Sequence, residues 1–210
     1  MFRAVVFDLD GTLVDSFTPI AASVNHVRSC RGLAPMPVKD IKRLVGRGAR
    51  ALMTDAVEVG DLEENLALYL AHHPTVIRDG TTLLPGAREA LDFWRGQGAR
   101  LAVCSNKPIA FTRQIMEHLG LAKLFSALIG PEDAGRPKPA PDMLLLALER
   151  VGVRTEEALY IGDMVVDVLT GRAAGVETWA VATGTESAEA LRAAGASRVL
   201  LSLEEVTRQG

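Results

Sequence analysis

Val5-Val6-Phe7-Asp8-Leu9-Asp10-Gly11-Thr12-Leu13 is an apolar run that breaks into two carboxylates and a glycine. Two β-branched residues and an aromatic in a row suit a strand covered on both faces. Asp8 and Asp10 stand two apart at its end, so they start on the same side of the pleat. Like charges about 4 Å apart, at an effective dielectric of about 20, repel by roughly 4 kcal/mol, so a fold that keeps both needs a cation, a proton or both. In open parallel α/β sheets, ligands bind beyond the carboxyl ends of the strands, which puts this pair where such a fold does chemistry. Asp and Gly are also ordinary turn residues, and the stretch by itself reads equally well as a strand stop.

From Phe17 to about His73 the apolar period becomes helical, with no strong strand candidate. Pro35 and Pro37 separate the first helices, Gly46-Arg47-Gly48 makes a flexible joint, and Asp61 is placed to cap a later helix. This segment reads as a helical insertion that ends near residues 81–84, with a helix then starting around Gly86 and running to Gly98. Beyond it, strands are expected at 101–104, 127–129, 158–161, 178–181 and 198–200. Helices are expected between them at 109–119, 142–151, 165–174 and 188–194. Strict alternation implies a parallel sheet. The expected architecture is α/β: a three-layer, Rossmann-like parallel-sheet core of residues 1–15 and 82–210, with a small α-helical cap of residues 16–81 inserted after the first strand.

Three more strand ends carry polar groups: Ser105-Asn106, Arg136-Pro137-Lys138-Pro139, and Gly162-Asp163. If the strands are parallel, these loops project from the same edge as Asp8 and Asp10 and become one constellation. Each has a local reading as well. Ser105-Asn106 can cap the next helix, and Lys138 can be a solvated lysine in a stiff connector. Asp163 can be an N-cap with Asp167 four residues on along the same helical face, a like-charged pair that a divalent cation would turn from repulsive to attractive.

The composition narrows the partners. The chain has 210 residues, 48% of them apolar, enough for a packed core. Its 23 basic and 26 acidic residues include no strongly basic segment, which disfavours nucleic acid and membrane surfaces. No apolar run approaches the roughly 20 residues that cross a bilayer, and the first strand follows no leader, so a soluble cytoplasmic protein is expected. Cys30 and Cys104 do not make a disulfide framework. His26, His72 and His73 lack acidic or cysteine companions at ligand spacing, and 143–148 reads as core.

Taken together, these motifs resemble the haloacid-dehalogenase-like superfamily over the whole chain: its phosphatase members begin Asp-x-Asp-Gly-Thr, as Asp8 to Thr12 do, and carry similar Ser105, Lys138 and Gly162-Asp163 loops. Val45-Gly46-Arg47-Gly48, Ser105-Asn106-Lys107-Pro108 and Gly162-Asp163-Met164-Val165-Val166-Asp167 look, more narrowly, like phosphoglycolate phosphatases. The resemblance implies that Asp8 attacks phosphorus to give an aspartyl-phosphate. Asp10, starting protonated with the help of negative neighbours, would donate to the leaving alkoxide and later take a proton from water. Mg²⁺ would sit on the Asp8 carboxylate, the Asp10 backbone carbonyl and Asp163, with Asp167 a ligand or a support behind it. Ser105, the Asn106 N–H and Lys138 would hold the phosphate oxygens, and the insertion would be a mobile cap. Arg47 is the candidate for gripping a substrate carboxylate, with Arg43 and Arg50 as weaker alternatives.

The function so implied is magnesium-dependent hydrolysis of a small phosphorylated metabolite, 2-phosphoglycolate first, by a monomer or homodimer. Within enzymes the rivals are a sugar-phosphate mutase, a pyrophosphatase or another metabolite phosphatase. From another class, the rival is a non-catalytic metabolite-binding module, against which the presence of both Asp8 and Asp10 speaks.

Overall fold

A computed structural model describes residues 1–207. The chain opens with β1 (Ala4–Phe7) and a two-residue strand β2 (Val14–Asp15). Four helices follow, α1 (Phe17–Cys30), α2 (Val38–Lys42), α3 (Ala49–Ala56) and α4 (Leu62–Val76), and then β3 (Thr82–Leu83). Next come α5 (Ala87–Gly96), β4 (Arg100–Cys104), α6 (Ile109–His118), β5 (Phe125–Ile129), α7 (Pro131–Ala134) and α8 (Asp142–Val151). The chain finishes with β6 (Ala158–Gly162), α9 (Val165–Ala174), β7 (Glu177–Val181), α10 (Ala188–Ala194), β8 (Arg198–Leu200) and α11 (Glu204–Thr207).

Six parallel strands form one sheet in the order β5-β4-β1-β6-β7-β8. Alternation explains the layers. Val5 and Phe7 point into one core with Leu101, Val103, Leu159 and Ile161, packed by Leu91 and Trp94 of α5 and Phe111 and Ile115 of α6. Ala4 and Val6 point the other way with Ala102 and Tyr160, onto Met143, Leu144 and Leu148 of α8. The sheet is covered on both sides, which is why its central strand reads as a continuous apolar run. From β1 the chain builds outward to β4 and β5, then crosses back to β6 on the other side. The order therefore reverses between β1 and β6, the crevice where α/β sheets of this kind place ligands.

The helical segment leaves and returns at one point, because β2 and β3 pair antiparallel with Asp15 opposite Thr82. Asp61 does cap α4, its carboxylate accepting from the N–H groups of Glu63 and Glu64 at 2.9 and 3.1 Å. The helix runs on to Val76, past Pro74, farther than the sequence pattern suggests. The carbonyl of Pro74 accepts from Gln114 Nε2 of the core at 3.0 Å. β5 starts two residues before the expected strand. It is the sheet edge, half-exposed, and Ser126 interrupts the apolar signal there. Cys30 is exposed, Cys104 is buried, and both are free. Among the described residues no helix is long and apolar enough to cross a membrane.

Two glycine substitutions separate propensity from packing. At Gly171, inside α9, an added Cβ would lie 1.8 Å from Thr178 Oγ1 on β7, whereas at Gly96, closing α5, it would meet nothing within 4 Å. Helix propensity favours Ala over Gly by about 1 kcal/mol at both positions, but overpacking costs about 1–3 kcal/mol. Gly96→Ala should raise stability slightly and Gly171→Ala should lower it, as read by urea unfolding. A gain at both would mean that α9 shifts freely on the sheet.

Candidate active site

Asp8 directly follows Phe7, which sits opposite Val103 of β4 and Ile161 of β6. The loops after β1, β4 and β6 therefore emerge side by side. Lys138, from the loop between α7 and α8, reaches the same point with its side chain only 2% exposed. Its Nζ donates to Asp8 Oδ1 at 2.8 Å, Asp167 Oδ1 at 2.6 Å and the Tyr160 hydroxyl at 3.1 Å. Three donors meet three acceptors, so the reading of Lys138 as a solvated connector does not hold.

The carboxylates gather around this ammonium. Asp8, Asp163 and Asp167 offer ligand oxygens that all lie within 4.8 Å of one another. Burial raises the Asp8 pKa to about 6, against the opposing pull of Lys138 and with a smaller upward push from Asp167. Burial, then the charges of Asp8 and Asp167, hold Asp163 well above the usual carboxylate range. Burial alone would lower the Lys138 pKa, but Asp167 and Asp8 more than reverse that. One ammonium cannot balance three carboxylates, and the excess negative charge is what a divalent cation would neutralise.

The donor set fits such an ion. Asp163 Oδ1 accepts from Thr12 Oγ1 at 2.8 Å, which leaves Oδ2 with no hydrogen bond among the described residues. A Cβ at Gly11 or Gly184 would come within 2.3 or 1.9 Å of that Oδ2, so only bare backbone can cradle it, and Gly11 also has φ +88°. Asp8 Oδ2 has no donor either among the described residues. Asp167 differs. Its Oδ1 takes Lys138 and Tyr160, and its Oδ2 takes the N–H of Met164 at 3.0 Å. Both of its oxygens thus orient other groups. Neither Asp163 nor Asp167 is the N-cap residue of α9, because Met164 occupies that position.

Asp10 is held separately. Lys107 Nζ lies 3.0 and 3.2 Å from its two oxygens, and Ser16 Oγ donates to Oδ1. The nearest charge to Asp10 is therefore a cation, and not the anionic neighbours that the sequence suggested. Ser105 is buried and its Oγ accepts from the Lys107 N–H at 3.3 Å. Asn106 fastens three segments: its amide donates to the carbonyls of Gly46 at 2.9 Å and Lys138 at 3.2 Å, and its Oδ1 accepts from the Lys138 N–H at 2.8 Å.

A cavity of about 40 Å³ lies over Asp8 and Asp10, walled by Ser105, Asn106 and Lys107 below and by Val45, Gly46, Ala49, Leu52 and Tyr69 of the helical segment above. Arg47 is not in that wall. Its neighbours Gly46 and Gly48, at φ +119° and +89°, turn their backbone to the cavity, while the Arg47 side chain is 64% exposed and pairs with Asp55. Arg50 and Arg43 are likewise turned to Glu63 and Asp40. Thus Asp8, Asp10, Ser105, Asn106, Lys138, Asp163 and Asp167 come together, and Arg47 does not join them.

Sequence reasoning left Lys107, Tyr160, Thr12 and Ser16 without roles. Lys107 had a usable signal, two residues past Ser105 in a strand-end loop. Tyr160 had none, because a tyrosine on a doubly covered strand reads as core.

Known proteins resemble this chain closely. The profile of haloacid dehalogenase-like hydrolases matches residues 5–181. A phosphoglycolate phosphatase of Rhodospirillum rubrum is 36% identical over 187 residues, covering 84% of this chain and 78% of that protein. One of Cereibacter sphaeroides is 36% identical over 179 residues, 82% of this chain and 81% of that protein. The crystal structure of a Bacteroides fragilis protein described as a haloacid dehalogenase-like hydrolase superposes with a TM-score of 0.92 at 29% identity, covering 98% of this chain and all of that one.

The charge excess gives a pH signature. Asp8 rises from 3.8 to about 6 on folding, so between those values the folded state binds more protons than the unfolded state. In EDTA, stability should increase as the pH falls from above 6 toward 4, by up to about 3 kcal/mol from Asp8, with Asp163 acting in the same direction. Thermal melts at several pH values would show it, and saturating Mg²⁺ should flatten the trend. A melting temperature that falls on mild acidification in EDTA would mean that the cluster is already balanced.

Proposed function

Because the chain belongs to the haloacid dehalogenase-like hydrolase family and is a phosphoric monoester hydrolase, we propose that it hydrolyses a small phosphorylated metabolite, 2-phosphoglycolate first, in a magnesium-dependent reaction through an aspartyl-phosphate on Asp8. The observation that carries this reading is the buried Asp8, with one oxygen held by Lys138 at 2.8 Å and the other free at the floor of a cavity that Asp10 shares.

In this reading one oxygen of Asp8 attacks phosphorus while the other is left to Lys138 and the ion, and the electron pair of the breaking P–O bond leaves on the alcohol oxygen, which takes a proton from Asp10. Water then attacks the acyl phosphate, Asp10 accepts its proton, and the Asp8 carboxylate departs as it was. The Ser105 hydroxyl and the Asn106 N–H supply donors to the phosphoryl oxygens, while Lys138, whose three N–H groups go to Asp8, Asp167 and Tyr160, contributes its charge from behind Asp8. Asp8 and Asp163, with the Asp10 carbonyl, would hold Mg²⁺, while Asp167 keeps Lys138 in place. The ion, when bound, offsets the repulsion between an anionic nucleophile and an anionic phosphate. Residues 16–81 act as the cap over the leaving group and residues 1–15 and 82–210 as the core. The pairing of β2 with β3 and the apolar roof over the cavity support that division.

Asp8→Asn should abolish phosphate release from 2-phosphoglycolate while leaving the far-UV spectrum and cooperative melt intact. Asp10→Asn should slow turnover by about 10²–10⁴-fold. It should slow an aryl phosphate less, because that leaving group needs less proton donation. Normal turnover by Asp8→Asn would remove the mechanism.

A further inference from the structure

The roof of the cavity raises a problem that its floor resolves. Val45, Ala49 and Leu52 give the helical segment an apolar inner face, and Arg43, Arg47 and Arg50 pair elsewhere. Among the described residues the one cation in the cavity wall is Lys107, from the core, with its side chain 4% exposed. Its ammonium has three N–H groups, and the Asp10 carboxylate takes two of them at 3.0 and 3.2 Å. Tyr69 of α4 is the polar side chain that the roof contributes. Burial, then the charge of Asp10, raise the Tyr69 pKa, so the hydroxyl stays a donor.

We propose that Lys107 and the Tyr69 hydroxyl form a subsite for an anionic group on the leaving alcohol, so that the preferred substrates are phosphate esters of short hydroxy acids. This rests on the phosphatase reading above and assigns the residues that would read its leaving group. The ester oxygen that Asp10 protonates must lie within hydrogen-bond reach of its carboxyl group, about 2.6–3.2 Å. A carboxylate on the adjoining carbon of the alcohol then falls within reach of a cation that is itself 3.0 Å from Asp10. Lys42 stands over the Phe17 ring in a neighbouring crevice toward Asp163, which shares Asp10 and Val45 with this cavity but does not bring Lys42 into its wall.

The test compares 2-phosphoglycolate with 2-hydroxyethyl phosphate, a neutral-tailed ester of similar size. Binding is measured by calorimetry with Mg²⁺ in the Asp8→Asn background, so that turnover is not needed. Lys107→Met should reduce the preference for 2-phosphoglycolate by about 10- to 100-fold, as expected for losing a charge-assisted hydrogen bond. Tyr69→Phe should reduce it a few-fold, Lys107→Arg should retain most of it, and Lys42→Met should leave it unchanged. A preference unaltered by Lys107→Met overturns the inference and makes Lys107 only the counter-charge of Asp10. Binding of neither ester overturns it too. If Lys107→Met fails to melt cooperatively, Lys107→Gln carries the same comparison. Wild-type protein that binds 2-phosphoglycolate through Lys107 but releases no phosphate from either ester would instead refute the phosphatase reading and keep the subsite.

Discussion

The ammonium of Lys138, shut in among Asp8, Asp167 and Tyr160, is the interaction on which the rest of the molecule turns. Burying charge is costly, and an ion pair inside a protein returns that cost only when its geometry is good and its remaining donors and acceptors are satisfied. Here a single cation faces three carboxylates, a poor arrangement for stability alone. The surrounding chain is shaped to bear it. Tyr160 rises from a fully buried strand to donate to Asp167, Asn106 fixes the backbone of Lys138, and Thr12 holds Asp163. Strain of this kind is tolerated where chemistry needs an uncompensated negative charge.

The two aspartates of the opening motif have different mechanical surroundings. Asp8 follows a four-residue strand hydrogen-bonded on both sides and buried throughout. Asp10 lies in the turn that leads to the helical segment. It bridges to Val14 and is bonded by Ser16 at the threshold of α1 and by Lys107 from the core. Asp10 is therefore the aspartate bonded directly at the start of the helical segment. Asn106 adds a second link, since its amide joins the carbonyl of Gly46 in the helical segment to the loop of Lys138.

Much of this was legible in the residues because a doubly covered parallel strand is an unbroken apolar run, and the polar residue that ends each run lies at the functional edge. Asp8, Ser105 and Asp163 each follow such a run, and parallel order alone brings them together. What escaped depends on side-chain direction and on partners remote in sequence. Arg47 looked like a ligand between two flexible glycines, yet those glycines turn the main chain inward and Arg47 outward to Asp55. Lys107 stands in the same loop as Ser105, but only the fold shows that it meets Asp10, 97 positions away. Tyr160 and Ser16 carry no mark in the sequence that sets them apart from packing and capping residues.

The pairing of Asp15 with Thr82 has a topological consequence. The inserted helices enter and leave through adjacent strands, so the six-stranded sheet experiences them as one loop whose ends are already pinned together. The entropy of closing a loop grows only logarithmically with its length. The sheet is thus nearly indifferent to how many residues the excursion contains, provided they pack on themselves. The same core can carry a longer, shorter or wholly different excursion at this junction, and the roof over Asp8 can be exchanged without redesigning the floor.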